Sequence, residues 1–249
     1  MRAAILQDPN QQPGPIKSEG DLHMTQPQGD IAILTDSSCD LPQQYFKKYP
    51  IFRLPVIVTC GETAYRDGVD ITADEVYRRQ PDEDFKTSLP LREDVNATFD
   101  AIARAGYRQV VVLPLSSALS STTNQLRLIA AERTDLEITV FDTRRCASAG
   151  LGMLAVQAAQ YAVSGMDFVR LKEVVARLIE DTTVFFCIDT LEYLRRGSRI
   201  GQAVLAHPIR GVHVHGQAGV QRHAHQHGVA AGQAAAGVVT EDPGKFSKL

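Results

Sequence analysis

Hydrophobic and polar positions along the chain fall into two kinds of segment. Short unbroken apolar runs, IAILT at 31–35 and QVVVLPL at 109–115, have the length and β-branched content of strands buried on both faces. Between them, apolar residues recur every three or four positions, as at Val95, Phe99 and Ile102, which is the spacing of one helix face. In order, the pattern predicts a strand at 31–35, a helix at 43–48, a strand at 52–59, a helix at 72–79 and a helix from 91 to 105 ended by Gly106. A strand at 109–115, a helix to Glu132, a strand at 138–141 and a long Ala- and Gly-rich helix at 146–163 follow. The series closes with a helix at 168–181, a strand at 184–188 and a short helix at 190–196. Pro55 lies inside the 52–59 run and offers no ladder N–H, so that strand is expected at an edge or kinked. Gly61 marks a turn, Thr72 to Glu75 has the form of a capping box, and KTSLP at 86–90 reads as a loop.

Alternating strands and helices imply an α/β fold, with a mainly parallel-sheet N-terminal domain over 30–164 and helices on both of its faces. A composition change near Gly165 opens a second, incomplete α/β domain at 165–206. Residues 1–29 are polar and rich in Pro, Gln and Gly, the composition of a disordered leader. Residues 207–249 form an atypical tail in which six of the seven histidines crowd between His207 and His227 and large apolar residues are sparse. No strand or helix period persists there, and a reading-frame shift in the gene would give such a tail.

Composition narrows the function. The 249 residues are 44% hydrophobic and 22% charged with a net charge of -3, a globular balance without the basic face of a nucleic-acid binder. No run of about 18 apolar residues predicts a membrane span, and the start carries no secretory pattern, so a cytoplasmic protein is expected. Cys39, Cys60, Cys146 and Cys187 form no C-x-x-C pair and read as reduced thiols.

The candidate chemistry sits in hydroxyl-rich loops. Asp36-Ser37-Ser38, Ser116-Ser117 with Ser120-Ser121-Thr122, and Asp142-Thr143 each follow a strand, and Thr87-Ser88 precedes a helix. In a doubly wound sheet the loops after strands meet at one edge, where hydroxyls and backbone amides make a neutral cradle for a carboxylate or phosphate. Alternatively, each Ser, Thr or Asp merely caps the next helix. A hydrolase or transferase using these loops is a second possibility, but residues 30–200 contain no histidine, which leaves a serine nucleophile without its usual base. No nucleotide-binding glycine motif is present, and no cofactor is expected. The tail histidines, His213, His215, His223, His225 and His227, have no carboxylate or cysteine among them, so no metal is expected either.

Several segments resemble the DegV family, in order: ILTDSSCDLP, LPVIVTCGETAYRDGVDIT, KTSLP, VVVLPLSSALSSTTNQL, ITVFDTRRCASAGLGM and FFCIDTLEYLRRGSRIG, together covering about 30–203. The resemblance implies a protein that holds one long-chain fatty acid, such as palmitate, in a tunnel between two α/β domains. It further implies a substrate-carrying subunit that presents the bound carboxylate to a bacterial fatty-acid kinase and catalyses nothing itself. Carried onto this chain, the carboxylate contacts are Thr87 and Ser117, with Ser88 and Ser120 nearby, and Arg199 matches an arginine near the phosphate or kinase. Two departures stand out. Leu119-Ser120-Ser121 replaces an L-S-G segment, and the family's closing domain, with its late histidine, has no counterpart after about Ala206. A truncated, non-functional remnant is therefore a third possibility.

Overall fold

The computed structural model describes residues 29–187, 197 and 235–240. In chain order its elements are β1 (Ile31–Asp36), α1 (Gln43–Lys48), β2 (Ile51–Leu54), β3 (Ile57–Cys60), β4 (Thr63–Arg66), α2 (Ala73–Arg79), β5 (Phe85–Ser88), α3 (Arg92–Arg104), β6 (Gln109–Leu113), α4 (Thr122–Ala131), β7 (Glu137–Val140), α5 (Ser148–Val163), α6 (Phe168–Asp181), β8 (Thr182–Cys187) and β9 (Ala235–Thr240). Arg199, the predicted helix at 190–196, the histidines of the tail and residues 1–28 of the leader lie outside the described residues.

The frame is a four-stranded, fully parallel sheet in the order β2-β1-β6-β7. Both faces are covered, so the inner strands are apolar at successive positions rather than alternating with polar ones. Ile31, Ile33, Val111 and Leu113 point into one core with α1, α5 and α6. Ala32, Leu34, Val110 and Val112 point into the other with Val95, Phe99 and Ile102 of α3 and Leu126 and Ile129 of α4. Phe168, Leu171, Val175, Leu178 and Ile179 of α6 join the first core, so this helix packs with α5 against the same sheet.

Helix α5 approaches the frame closely because its residues are small. A Cβ on Gly152 would lie 2.5 Å from the backbone oxygen of Cys39, and glycine is what lets the helix rest on the loop after β1.

Three features depart from the sequence pattern. The 52–59 run is not one strand. It breaks at Pro55 into β2, an edge of the parallel sheet, and β3, which belongs to a separate antiparallel sheet ordered β4-β3-β5. The break follows from the missing proline N–H and from the Ser37 Oγ, which accepts the Val56 N–H at 3.1 Å and turns the chain away. KTSLP is likewise more than a loop, since Phe85–Ser88 pairs with β3 in the register Val58↔Thr87 and Ile57↔Ser88. Its polar side chains hide the strand because this small sheet leaves Lys86, Thr87 and Ser88 exposed. Finally, Ala235–Thr240 in the tail pairs antiparallel with β8, whose edge supplies the hydrogen bonds that local periodicity does not foretell. The turn expected at Gly61 is present, with φ +57 in the two-residue link of the β3–β4 hairpin, whose second strand the pattern did not predict.

Candidate functional site

Strand order fixes where the chemistry gathers. From β1 the chain crosses to β2 on one side, whereas β6 leads on to β7 on the other. That is a topological switch point, and the crevice outside the carboxyl ends of β1 and β6 is where such sheets bind ligands. The loops after β1, β6 and β7 all emerge at this edge because the strands are parallel.

These loops are laced together by their own polar groups. Asp36 ends β1 and is 1% exposed. One carboxylate oxygen accepts the Leu115 N–H from the loop after β6 at 2.6 Å, and the other accepts the Ser38 N–H at 3.0 Å and the Ser38 hydroxyl. Burial pushes its carboxyl above the ordinary range, and these donated bonds offset only part of that shift. The buried Thr143 hydroxyl after β7 donates to the Pro114 carbonyl at 2.8 Å, and the Ser116 hydroxyl donates to the Arg144 carbonyl. Ser148, at the start of α5, donates to Asp40 at 2.5 Å. Asp40, Arg144 and Ser148 all have positive φ, between 50 and 55°. Left-handed backbone at non-glycine residues costs about 1 kcal/mol or more each, and here it is concentrated in the loops of the crevice.

Ser117 is exposed in this edge and bound to Asp142. Its hydroxyl donates to one Asp142 carboxylate oxygen at 2.6 Å, while the other oxygen accepts the N–H groups of Ser117 at 3.2 Å and Arg144 at 2.9 Å. Burial raises the Asp142 carboxyl, but these donors and the nearby Arg127 charge outweigh it and hold the group below its usual range. Ser120 is engaged differently. Its hydroxyl pairs with the Thr122 hydroxyl at 2.8 Å and accepts the Thr122 N–H at 3.2 Å, so it caps the first turn of α4. The Leu119-Ser120-Ser121 departure costs nothing in backbone strain, because Ser121 has φ -81 and needs no glycine.

Thr87 and Ser88 stand on β5, in the antiparallel sheet. As neighbours on a strand they face opposite sides, so only one of them can point toward any single ligand. This strand is tied to the crevice indirectly. The Gln125 amide of α4 donates to the Pro90 carbonyl at 2.8 Å, and Arg66 at the end of β4 pairs with Asp94 of α3 at 2.8 Å in a buried ion pair.

Asp36, Asp142 and Thr143 were visible in the sequence only as members of polar loops, and their long-range partners lie 25 to 79 residues away. Arg66 and Asp94 gave no sequence signal, since an acidic residue in the first turn of a helix usually faces water. Among the described residues, no group of three or more His, Cys, Asp or Glu side chains could hold a metal ion. Among those residues, too, no helix is long and apolar enough to cross a membrane. Cys39, Cys60 and Cys146 are free thiols, and burial pushes Cys39 and Cys146 up to about 11.

Comparison with known proteins places this arrangement. The chain is 36% identical over 193 residues to a DegV domain-containing protein of Clostridium perfringens, covering 75% of this chain and 68% of that one. It is 31% identical, with a TM-score of 0.63, to a fatty-acid-binding DegV family protein of Thermus thermophilus, covering 73% of this chain and 65% of that one. It is 32% identical, with a TM-score of 0.63, to a stearic-acid-binding protein of Eubacterium ventriosum, covering 69% and 60%. The chain thus spans about 60 to 68% of the length of these relatives. A family model described as uncharacterised protein, DegV family, matches residues 30–206, and the chain belongs to that family.

Proposed function

We propose that this protein binds a long-chain fatty acid such as palmitate, with its carboxylate at the switch-point crevice against Ser117 and Thr87, and with Ser88 and Ser120 as the neighbouring candidates. The single observation that carries this is the laced edge at β1, β6 and β7. It holds the exposed Ser117 hydroxyl at the carboxyl end of β6, in a chain whose relatives bind fatty acids. Neutral donors hold a carboxylate without neutralising it. The acyl chain supplies most of the affinity, at about 0.8 kcal/mol per buried methylene, while each hydroxyl adds about 1 kcal/mol and fixes orientation. In this reading the protein works in the cytoplasm, performs no chemistry, and presents the head group to a partner fatty-acid kinase, with Arg199 near the phosphate or the kinase.

The Ser117–Asp142 pair is the one observation on the side of serine chemistry. It is a weak one, because a carboxylate held below its ordinary range is a poor base for an alcohol.

Native mass spectrometry of the purified full chain, followed by lipid extraction, tests the proposal. One fatty acid per chain, with occupancy reduced by Ser117→Ala and by Thr87→Val, is the expected result. An empty protein that palmitate does not stabilise against heat would favour the remnant. Transfer of labelled phosphate from ATP to the bound lipid, with a kinase added, tests the carrier role.

A further inference from the structure

Ser117 has one hydroxyl proton, and at 2.6 Å it is committed to Asp142. An ionised head group bonded to Ser117 must take that proton away. It would then sit about 4–5 Å from a second carboxylate, the separation of two partners sharing one hydroxyl. Asp142 cannot swing clear, because its other oxygen is held by the amides of Ser117 and Arg144.

We propose that Asp142 is a specificity-determining residue of the head-group site, one that competes with an anionic ligand for the Ser117 proton and so weakens binding of fully ionised head groups. This rests on the fatty-acid reading above. The other charges facing Asp142 are Arg127 from α4, Arg144 from its own loop and Glu180 from α6, all lining one cleft beside β7. Arg144 leans toward Glu180, 3.9 Å away, while the Arg127 charge acts on the Asp142 carboxylate without taking the Ser117 proton from it. An asparagine at 142 would reverse the bond. Its amide would donate to the Ser117 oxygen and release the hydroxyl proton to the ligand.

The first test compares palmitate binding by delipidated wild-type protein and Asp142→Asn at neutral pH, by calorimetry. Asp142→Asn should bind about tenfold tighter, the scale of one charge-assisted hydrogen bond gained, and adding Ser117→Ala should erase the gain. Equal or weaker binding by folded Asp142→Asn overturns the proposal while leaving fatty-acid binding intact. Absence of palmitate binding by both proteins overturns both. A second test needs no folded variant. A long-chain alkylsulfonate stays anionic throughout, so any pH dependence belongs to the protein. Its affinity for the wild-type protein should stay level from pH 7 to about 5 and rise as pH falls below about 4, where Asp142, held below its ordinary range, takes up a proton. A flat profile overturns the proposal.

Discussion

The four-stranded parallel sheet and the three-stranded antiparallel sheet are built to different standards. The parallel sheet is covered on both faces, with all six residues of β1 buried. The antiparallel sheet is half covered at best, and three of the four residues of β5 are exposed. Ser117 belongs to the first and Thr87 and Ser88 to the second. The difference makes one a fixed frame and the other a lighter arm, and the proposed head group would lie between them. The arm leans on the frame at few places, chiefly the Arg66–Asp94 pair, the Gln125–Pro90 bond and the short link through Pro55 and Val56.

The sharpest way to break this contrast is to cut the buried pair. Asp94 is fully inaccessible, and one of its carboxylate oxygens has no hydrogen-bond partner. Asp94→Ala removes the buried partner of Arg66, leaves it the longer pair with Asp70 at 3.7 Å, and should cost about 3 kcal/mol by urea unfolding. Hydrogen exchange should then show β3, β4 and β5 losing protection well before β1 and β6. A uniform loss across both sheets would show that the arm and the frame are a single cooperative unit.

A smaller change probes the frame itself. Gly152→Ala drives a Cβ against the Cys39 carbonyl and should destabilise the protein by about 1–3 kcal/mol, leaving protection of β5 relative to β1 unchanged. A neutral result would mean that α5 can slide off the loop after β1.

The smallest effect lies in the crevice. The Asp142 carboxyl is held below its ordinary range, so its stabilising contribution is complete above the unfolded-state value near 4 and is lost as pH falls through the folded-state value. Because the group is partly exposed, Asp142→Asn should cost only about 0.5 kcal/mol at pH 7, and the gap from wild type should close below about pH 4. A gap that persists in acid would place the cost in packing rather than in charge.

How much of this could be read in advance differed by region. Helices α1 and α6 stand where the periodicity put them, residues 43–48 and 168–181, because each has an apolar face against the core and an end marked nearby. Asp167 accepts the Arg170 N–H and Thr72 accepts the Glu75 N–H, as cap positions do. The strands β1 and β6 were legible as unbroken apolar runs. Strand β5 was not, because its exposed Lys86, Thr87 and Ser88 carry the composition of a loop and only its pairing with β3 makes it a strand.

By itself, then, the sequence determined the alternating frame, the loops at its carboxyl edge and the family to which the chain belongs. Those features rest on local periodicity and on short ordered motifs. Only the tertiary structure decided that Pro55 divides two sheets, that Arg66 meets Asp94 and that the Ser117 proton belongs to Asp142. Each of these joins residues that are distant in the chain or separates residues that are adjacent, and partners of that kind are chosen by burial and by the need to satisfy buried polar groups, which no local pattern encodes.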